Sequence, residues 1–172
     1  MQMDILNYQI LLMGDTASGK TCFLNRYLYN TFEPEKVVRT GDFSCYEKSV
    51  KLKNGKKLRL LIRDICAYLS FERKLSSYKD YYKNTNGIIF LYDITYLGSF
   101  QELKKFVYSE IGEIRKSADK NLVIFLVGNK KDLYYEQAVP EEEGENFAKD
   151  KDFIFLKLRQ KMIIMLKIFF KI

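Results

Sequence analysis

The chain has 172 residues, 47% hydrophobic and 30% charged, a composition typical of one globular domain with a sizeable core. It contains no histidine, which excludes imidazole catalysis and histidine-ligated metal sites. The 29 basic and 22 acidic side chains give a net charge of +7. Two interpretations stay open, attraction to an anionic membrane and a solvated lysine-rich surface, and we favour the second. No nucleic-acid-binding signature is visible, so we expect no nucleic acid partner.

The first predicted elements surround a glycine-rich motif. Apolar residues 8–13 predict a strand, and residues 19–29 predict a helix. Residues 14–21 read G-x-x-x-x-G-K-T, the phosphate-binding P-loop, whose backbone N–H groups and following helix N-terminus attract phosphate. Lys20 adds a positive charge and is the candidate catalytic residue, and Thr21 offers a hydroxyl to Mg²⁺. The predicted phosphate-binding residues are Gly14, Asp15, Thr16, Ala17, Ser18, Gly19, Lys20, Thr21 and Cys22.

The rest of the chain alternates strands with helices. Strands are predicted at 43–52, 58–63, 87–92, 122–127 and 153–157, and helices at 70–82, 99–116 and 140–149. Asn54-Gly55 predicts a two-residue hairpin turn, which makes the second and third strands antiparallel. Residues 99–102 read as a capping box that opens a helix, and Pro140 with three following glutamates opens the next one.

This pattern predicts an α/β fold, the three-layer P-loop NTPase domain. It has a six-stranded, mostly parallel sheet with one antiparallel strand and helices on both faces. A single domain spans residues 1–172, with an atypical C-terminal part at 162–172. Such sheets bind ligands at the carboxyl ends of their strands, where Gly14, Asp64 and Asn129 fall.

A second motif selects the base. Residues 128–132 read G-N-K-K-D and follow a strand that is apolar throughout. The Asp132 carboxylate accepts hydrogen bonds from both the ring N–H and the exocyclic amine of guanine, a donor pair that adenine lacks. Asn129 and Lys130 brace this loop and cover the base. The two motifs together predict a guanine nucleotide site.

With these motifs the chain resembles the Ras-like small GTPases, and the Rab branch most closely, over roughly residues 5–161. The resemblance also includes Gly55-Lys56-Lys57-Leu58, Tyr81-Tyr82, residues 87–95, Ser99-Phe100 and Phe147-Ala148. It implies that Phe32 stacks on the guanine edge, that Lys161 belongs to the segment behind the base, and that Asp64 holds Mg²⁺ through water. It further implies GTP and GDP as ligands and effector, exchange and activating proteins as partners.

The chain departs from the family pattern in both switch segments. Where the family has Asp-Thr-Ala-Gly-Gln, this chain has Asp64-Ile65-Cys66-Ala67-Tyr68. The resemblance implies that Ala67 takes the place of the glycine whose N–H meets the γ-phosphate, and Tyr68 that of the glutamine that orients the attacking water. We therefore expect weak intrinsic hydrolysis. In the first switch, either Thr40 binds Mg²⁺ or Arg39 occupies that slot, and the two alternatives remain open.

The C-terminal residues also depart from the family. Of the Ser-Ala-Lys segment only Lys161 matches, and no prenylation cysteine follows. Residues 162–172 are almost wholly apolar, with Lys167 and Lys171. Three interpretations stay open: a final helix packed on the sheet, a basic helix lying on a membrane surface, or a truncated or misread gene end.

The cysteines and the N-terminus suggest the compartment. Cys22, Cys45 and Cys66 have no metal-binding spacing and read as reduced thiols, and no signal peptide is visible. We expect a cytoplasmic protein, peripheral on endomembranes, that acts as a GTP/GDP switch in vesicle trafficking. The alternative is a non-cycling pseudo-GTPase that serves as an interaction scaffold or regulator.

Overall fold

The computed structural model describes residues 5–29, 43–51, 55–66 and 79–157. The strands in this part are β1 (Ile5–Gly14), β2 (Phe43–Lys51), β3 (Lys57–Cys66), β4 (Gly87–Asp93), β5 (Val123–Asn129) and β6 (Ile154–Lys157). The helices are α1 (Lys20–Tyr29), α2 (Lys79–Tyr82), α3 (Leu97–Ser117) and α4 (Glu141–Lys151), with a 3₁₀ segment at Lys131–Glu136.

The strands form one six-stranded sheet in the order β2-β3-β1-β4-β5-β6. Only the β2–β3 pair is antiparallel; β1 pairs in parallel with β3 and β4, and β5 pairs in parallel with β4 and β6. The predicted fold class is therefore confirmed. β4 is buried at all of its positions, as expected for a central parallel strand covered on both faces.

Two hydrophobic clusters lie on the two faces of the sheet, because successive strand residues point to opposite sides. Ile89 and Leu91 join the cluster that includes Phe23 and Leu24 of α1. Ile88, Phe90 and Tyr92 alternate with them along β4 and join the other cluster. That cluster also includes Phe100 of α3 and Phe147 of α4. Full burial of each such side chain stabilises the fold by about 1.5–3 kcal/mol.

Helix α3 begins earlier than the sequence indicates. It starts at Leu97 with Tyr96 as N-cap, so the predicted capping box at Ser99 is wrong. The Ser99 hydroxyl instead contacts the end of β4: it accepts a hydrogen bond from the Asp93 N–H at 3.0 Å and lies 2.8 Å from the Tyr96 carbonyl oxygen, to which it donates. The other predicted start is confirmed, since Pro140 is the N-cap of α4 and three glutamates occupy its first turn.

Strands β2 and β3 are antiparallel, as the predicted Asn54-Gly55 turn implies, and Lys51 pairs with Lys57. Of the predicted turn the structure describes Gly55, whose φ of +82° lies in the left-handed region that favours glycine. Asn54 lies outside the described residues, so the type of turn stays a prediction.

The helix predicted at 70–82 lies partly outside the described residues, and the C-terminal segment 162–172 lies wholly outside them. Of the helix predicted at 70–82, the described part contains α2, and residues 158–172 are not described. Within the described ranges, no helix combines the length and the apolar character needed to cross a bilayer.

We expect opposite effects from adding a methyl group at two exposed glycines. Gly55→Ala should lower the free energy of unfolding by about 1 kcal/mol, because its left-handed backbone strains a residue with a Cβ. Gly112→Ala should raise it by about 1 kcal/mol, because Gly112 lies inside α3. A Cβ at either position would meet nothing within 4 Å, so each variant is the steric control for the other. Urea unfolding of both variants measures this, and changes of the same sign would contradict the assigned backbone conformations.

Candidate nucleotide-binding site

The P-loop joins the end of β1 to the start of α1 through a strained backbone. Ala17 has a φ of +61° and Gly19 a φ of +92°, both in the left-handed region. The loop is closed by the Ser18 N–H, which donates to the Asp15 carbonyl oxygen at 3.2 Å. Alternation of right- and left-handed residues turns consecutive N–H groups toward one concave side, an anion-binding arrangement. Ala17 bears a cost of about 1 kcal/mol that glycine would avoid.

Lys20 lies against the loop that it follows. Its Nζ donates to the Gly14 carbonyl oxygen at 2.9 Å and to the Asp15 carbonyl oxygen at 2.8 Å, and the residue is buried. An ammonium group has three donors, so one remains for a phosphate oxygen. The two loop carbonyls thus hold the positive charge of Lys20 at the start of α1.

Asp64 is a buried carboxylate whose charge is only partly compensated. It is 4% exposed, and among the residues that the structure describes neither of its oxygens has a hydrogen-bond partner. Burial raises its pKa above the usual 3.8, and the charge of Lys20 partly opposes this shift. An orphaned carboxylate beside a P-loop fits Mg²⁺, which binds through one or two carboxylates or hydroxyls while the remaining ligands come from phosphate and water. Thr21, half-buried at the start of α1, is the predicted hydroxyl ligand.

Asn129 connects the base loop to the P-loop. Its side-chain amide nitrogen donates to the Ser18 carbonyl oxygen at 2.9 Å, across 111 residues of chain. This contact depends on Gly19, because a Cβ at that position would stand 2.3 Å from the same amide nitrogen. The sequence predicted that Asn129 braces the base loop; the observed contact instead ties Asn129 to the P-loop, and its role toward the base stays a prediction.

Lys130 follows with a φ of +64° and a ψ of 35° and forms a 2.5 Å ion pair with the Asp93 carboxylate. Its carbonyl oxygen accepts from the Leu133 N–H at 2.8 Å, which starts the 3₁₀ turn. Asp132 is in the first turn of that segment and is exposed at the carboxyl end of β5. Lys130 also influences the P-loop helix, since its charge lowers the pKa of the Cys22 thiol while burial raises that pKa more strongly.

The structure thus brings the P-loop, Asp64, Asn129, Lys130 and Asp132 to one edge of the sheet. Four further predicted site residues, together with the alternative Arg39, lie outside the described residues and stay predictions: Phe32, Thr40, Tyr68 and Lys161. Sequence reasoning missed Asp93 as a site residue. Its signal was a carboxylate ending a buried strand at the same edge as Gly14 and Asn129.

Comparison with protein families gives a match that agrees with this geometry. The model of the Ras family matches residues 9–171, which is almost the whole chain. The chain therefore belongs to the Ras family. Members of this family are small GTPases that bind GTP and GDP, typically with Mg²⁺, and that work with regulator and effector proteins.

We expect Asp64→Asn to stabilise the nucleotide-free, Mg²⁺-free protein by about 1 kcal/mol at pH 7, because it removes a buried charge that Lys20 compensates only in part. The folded pKa of Asp64 is raised, so the native state holds its proton more tightly and the penalty grows as pH rises from 3.8 through the raised pKa. The advantage of the variant should therefore vanish at acidic pH. Urea unfolding between pH 4 and pH 7 measures it.

Asp132→Asn is the matched control for that experiment, because Asp132 is exposed and its substitution should leave the stability difference near zero at every pH. An Asp64→Asn protein that is less stable than the wild type at pH 7 would contradict the assignment of an unpaired carboxylate.

Proposed function

We propose that this Ras-family protein is a Rab-type switch in vesicle trafficking that binds GTP and GDP with Mg²⁺ and hydrolyses GTP slowly. The observation that carries the nucleotide part is the hydrogen bond from Asn129 to the Ser18 carbonyl, which joins the phosphate and base motifs into one site. The Rab assignment is supported by the sequence resemblance described above.

Different residues of the site would make different contributions to phosphoryl transfer. Bound Mg²⁺ neutralises charge on the phosphate oxygens. Asp64 and Thr21 would hold that ion. The P-loop N–H groups orient the phosphates, and the remaining donor of Lys20 stabilises charge that develops on the outer phosphate. Asp132 accepts from the guanine edge and sets the base preference.

Slow hydrolysis follows from the second switch. No glutamine occurs between Gln9 and Gln101, and no glycine occurs between Asp64 and Gly87. A carboxamide offers an acceptor oxygen and a donor nitrogen on two separate atoms, which together orient a water, whereas the phenol of Tyr68 donates and accepts through one oxygen. An activating protein that supplies an arginine would restore about 10³–10⁵ in rate.

We propose a cytoplasmic protein that is peripheral on endomembranes. The net charge of +7 supports attraction to anionic lipid, which weakens with salt. Its partners would be exchange factors, activating proteins and effectors that recognise the nucleotide state.

The missing glutamine and glycine of the second switch also favour a second function, a non-cycling scaffold. Binding of partners from a lysate to the GTP-analogue form and to the GDP form separates the two functions. Partners that bind one form alone support the switch, whereas equal recovery on both forms supports the scaffold.

The hydrolysis rate tests the proposal most simply. Single-turnover GTP hydrolysis should be slower than the ~4 × 10⁻⁴ s⁻¹ of an ordinary small GTPase. Lys20→Ala protein sets the background from contaminating phosphatases, and Tyr68→Gln should raise the rate above the wild type. A wild-type rate at the ordinary value would refute slow hydrolysis, and failure of Mg²⁺ and GTP to bind at all would refute the nucleotide site.

A further inference from the structure

Asp93 is a second buried carboxylate at the nucleotide edge of the sheet. Its side chain is 8% exposed, as for a group in the interior. Unlike Asp64, it is fully engaged: one oxygen forms the 2.5 Å ion pair with Lys130, and the other accepts from the Thr95 N–H at 2.9 Å and the Thr95 hydroxyl at 2.7 Å. Thr95 therefore fixes the carboxylate, and the carboxylate fixes Lys130.

Asp93 is placed for this contact by the sheet. It ends β4 and pairs with Asn129, which ends β5, so Lys130 is the first residue beyond the paired strands. The Asn129 carbonyl oxygen accepts from the Ile94 N–H at 3.2 Å, which ties the two strand ends once more. The ion pair thus connects the segments that follow β4 and β5, which leave the sheet side by side.

Lys130 lies between two residues with different roles. Asn129, directly before it, is hydrogen-bonded to the P-loop. Asp132, two residues after it, lies in the 3₁₀ turn that starts at the Lys130 carbonyl. The left-handed backbone of Lys130 is unfavourable for a lysine by about 1 kcal/mol. The Asp93 ion pair forms in this backbone conformation and so offsets part of this cost.

We propose that Asp93 is a positioning residue for base recognition: by holding Lys130, it fixes the register between the P-loop brace and the base-selecting Asp132, and so slows the release of guanine nucleotide. The inference rests on the guanine nucleotide site proposed above. Thr95 supports it by occupying the second carboxylate oxygen.

A double-mutant cycle on the release of fluorescently labelled GDP in Mg²⁺ tests this proposal. Asp93→Asn keeps the size of the side chain and an oxygen for Thr95 but removes the charge. It should speed GDP release about tenfold, a change within the range found for charged residues in contact when one of them, here Lys130 at 31% exposure, is partly open to solvent. In a Lys130→Ala background the same substitution should change the rate less than twofold, because Asp93 acts through Lys130.

A residue that only stabilised the fold would give the same fold-change in both backgrounds, and that result overturns the proposal. An unchanged release rate in Asp93→Asn alone also overturns it. Should Asp93→Asn fail to fold, Asp93→Glu replaces it in the cycle, since it keeps the charge but displaces Lys130 by one methylene. Wild-type protein that does not bind labelled GDP would instead refute the proposed nucleotide site, so the two failures are distinguishable.

Discussion

The site depends on one hydrogen bond, from the Asn129 amide to the Ser18 carbonyl oxygen. It joins the P-loop, predicted to bind phosphate, to the loop predicted to recognise the base, and each loop follows an interior strand of the sheet, β1 or β5. The contact requires close approach, because a Cβ on Gly19 would stand 2.3 Å from the amide nitrogen. The distance between the two halves of the ligand is therefore set by the sheet, through the spacing of β1, β4 and β5.

Two buried carboxylates at this edge show how stability and function are divided. Asp93 is neutralised by Lys130 and bonded to Thr95, so its burial cost is offset within the protein. Asp64 has no such partner among the described residues, and its raised pKa reports the resulting penalty. Ligand binding that neutralises Asp64 would remove this penalty, so the protein with an empty site is less stable than the protein with ligand bound.

Much of the fold could be predicted from the sequence, because strands such as β4 and β5 are apolar throughout and the turns between elements are polar. The errors occur where a contact with a distant part of the chain overrides the local pattern. Asp64 was predicted to follow its strand, yet it pairs with Leu12 on one side and Ser44 on the other. Ser99 contacts the end of β4 instead of capping its helix, and Asp93 was missed because its role depends on Lys130, 37 residues later. Local sequence carries no information about such pairings.

Hydrogen exchange of the P-loop amides 15–20 in nucleotide-free protein tests the brace most directly. Asn129→Ala should speed exchange of these amides, because the loop loses its tie to β5. Asp132→Ala should leave them unchanged, because Asp132 is exposed in the next turn. Equal exchange in the wild type and in Asn129→Ala would contradict the account.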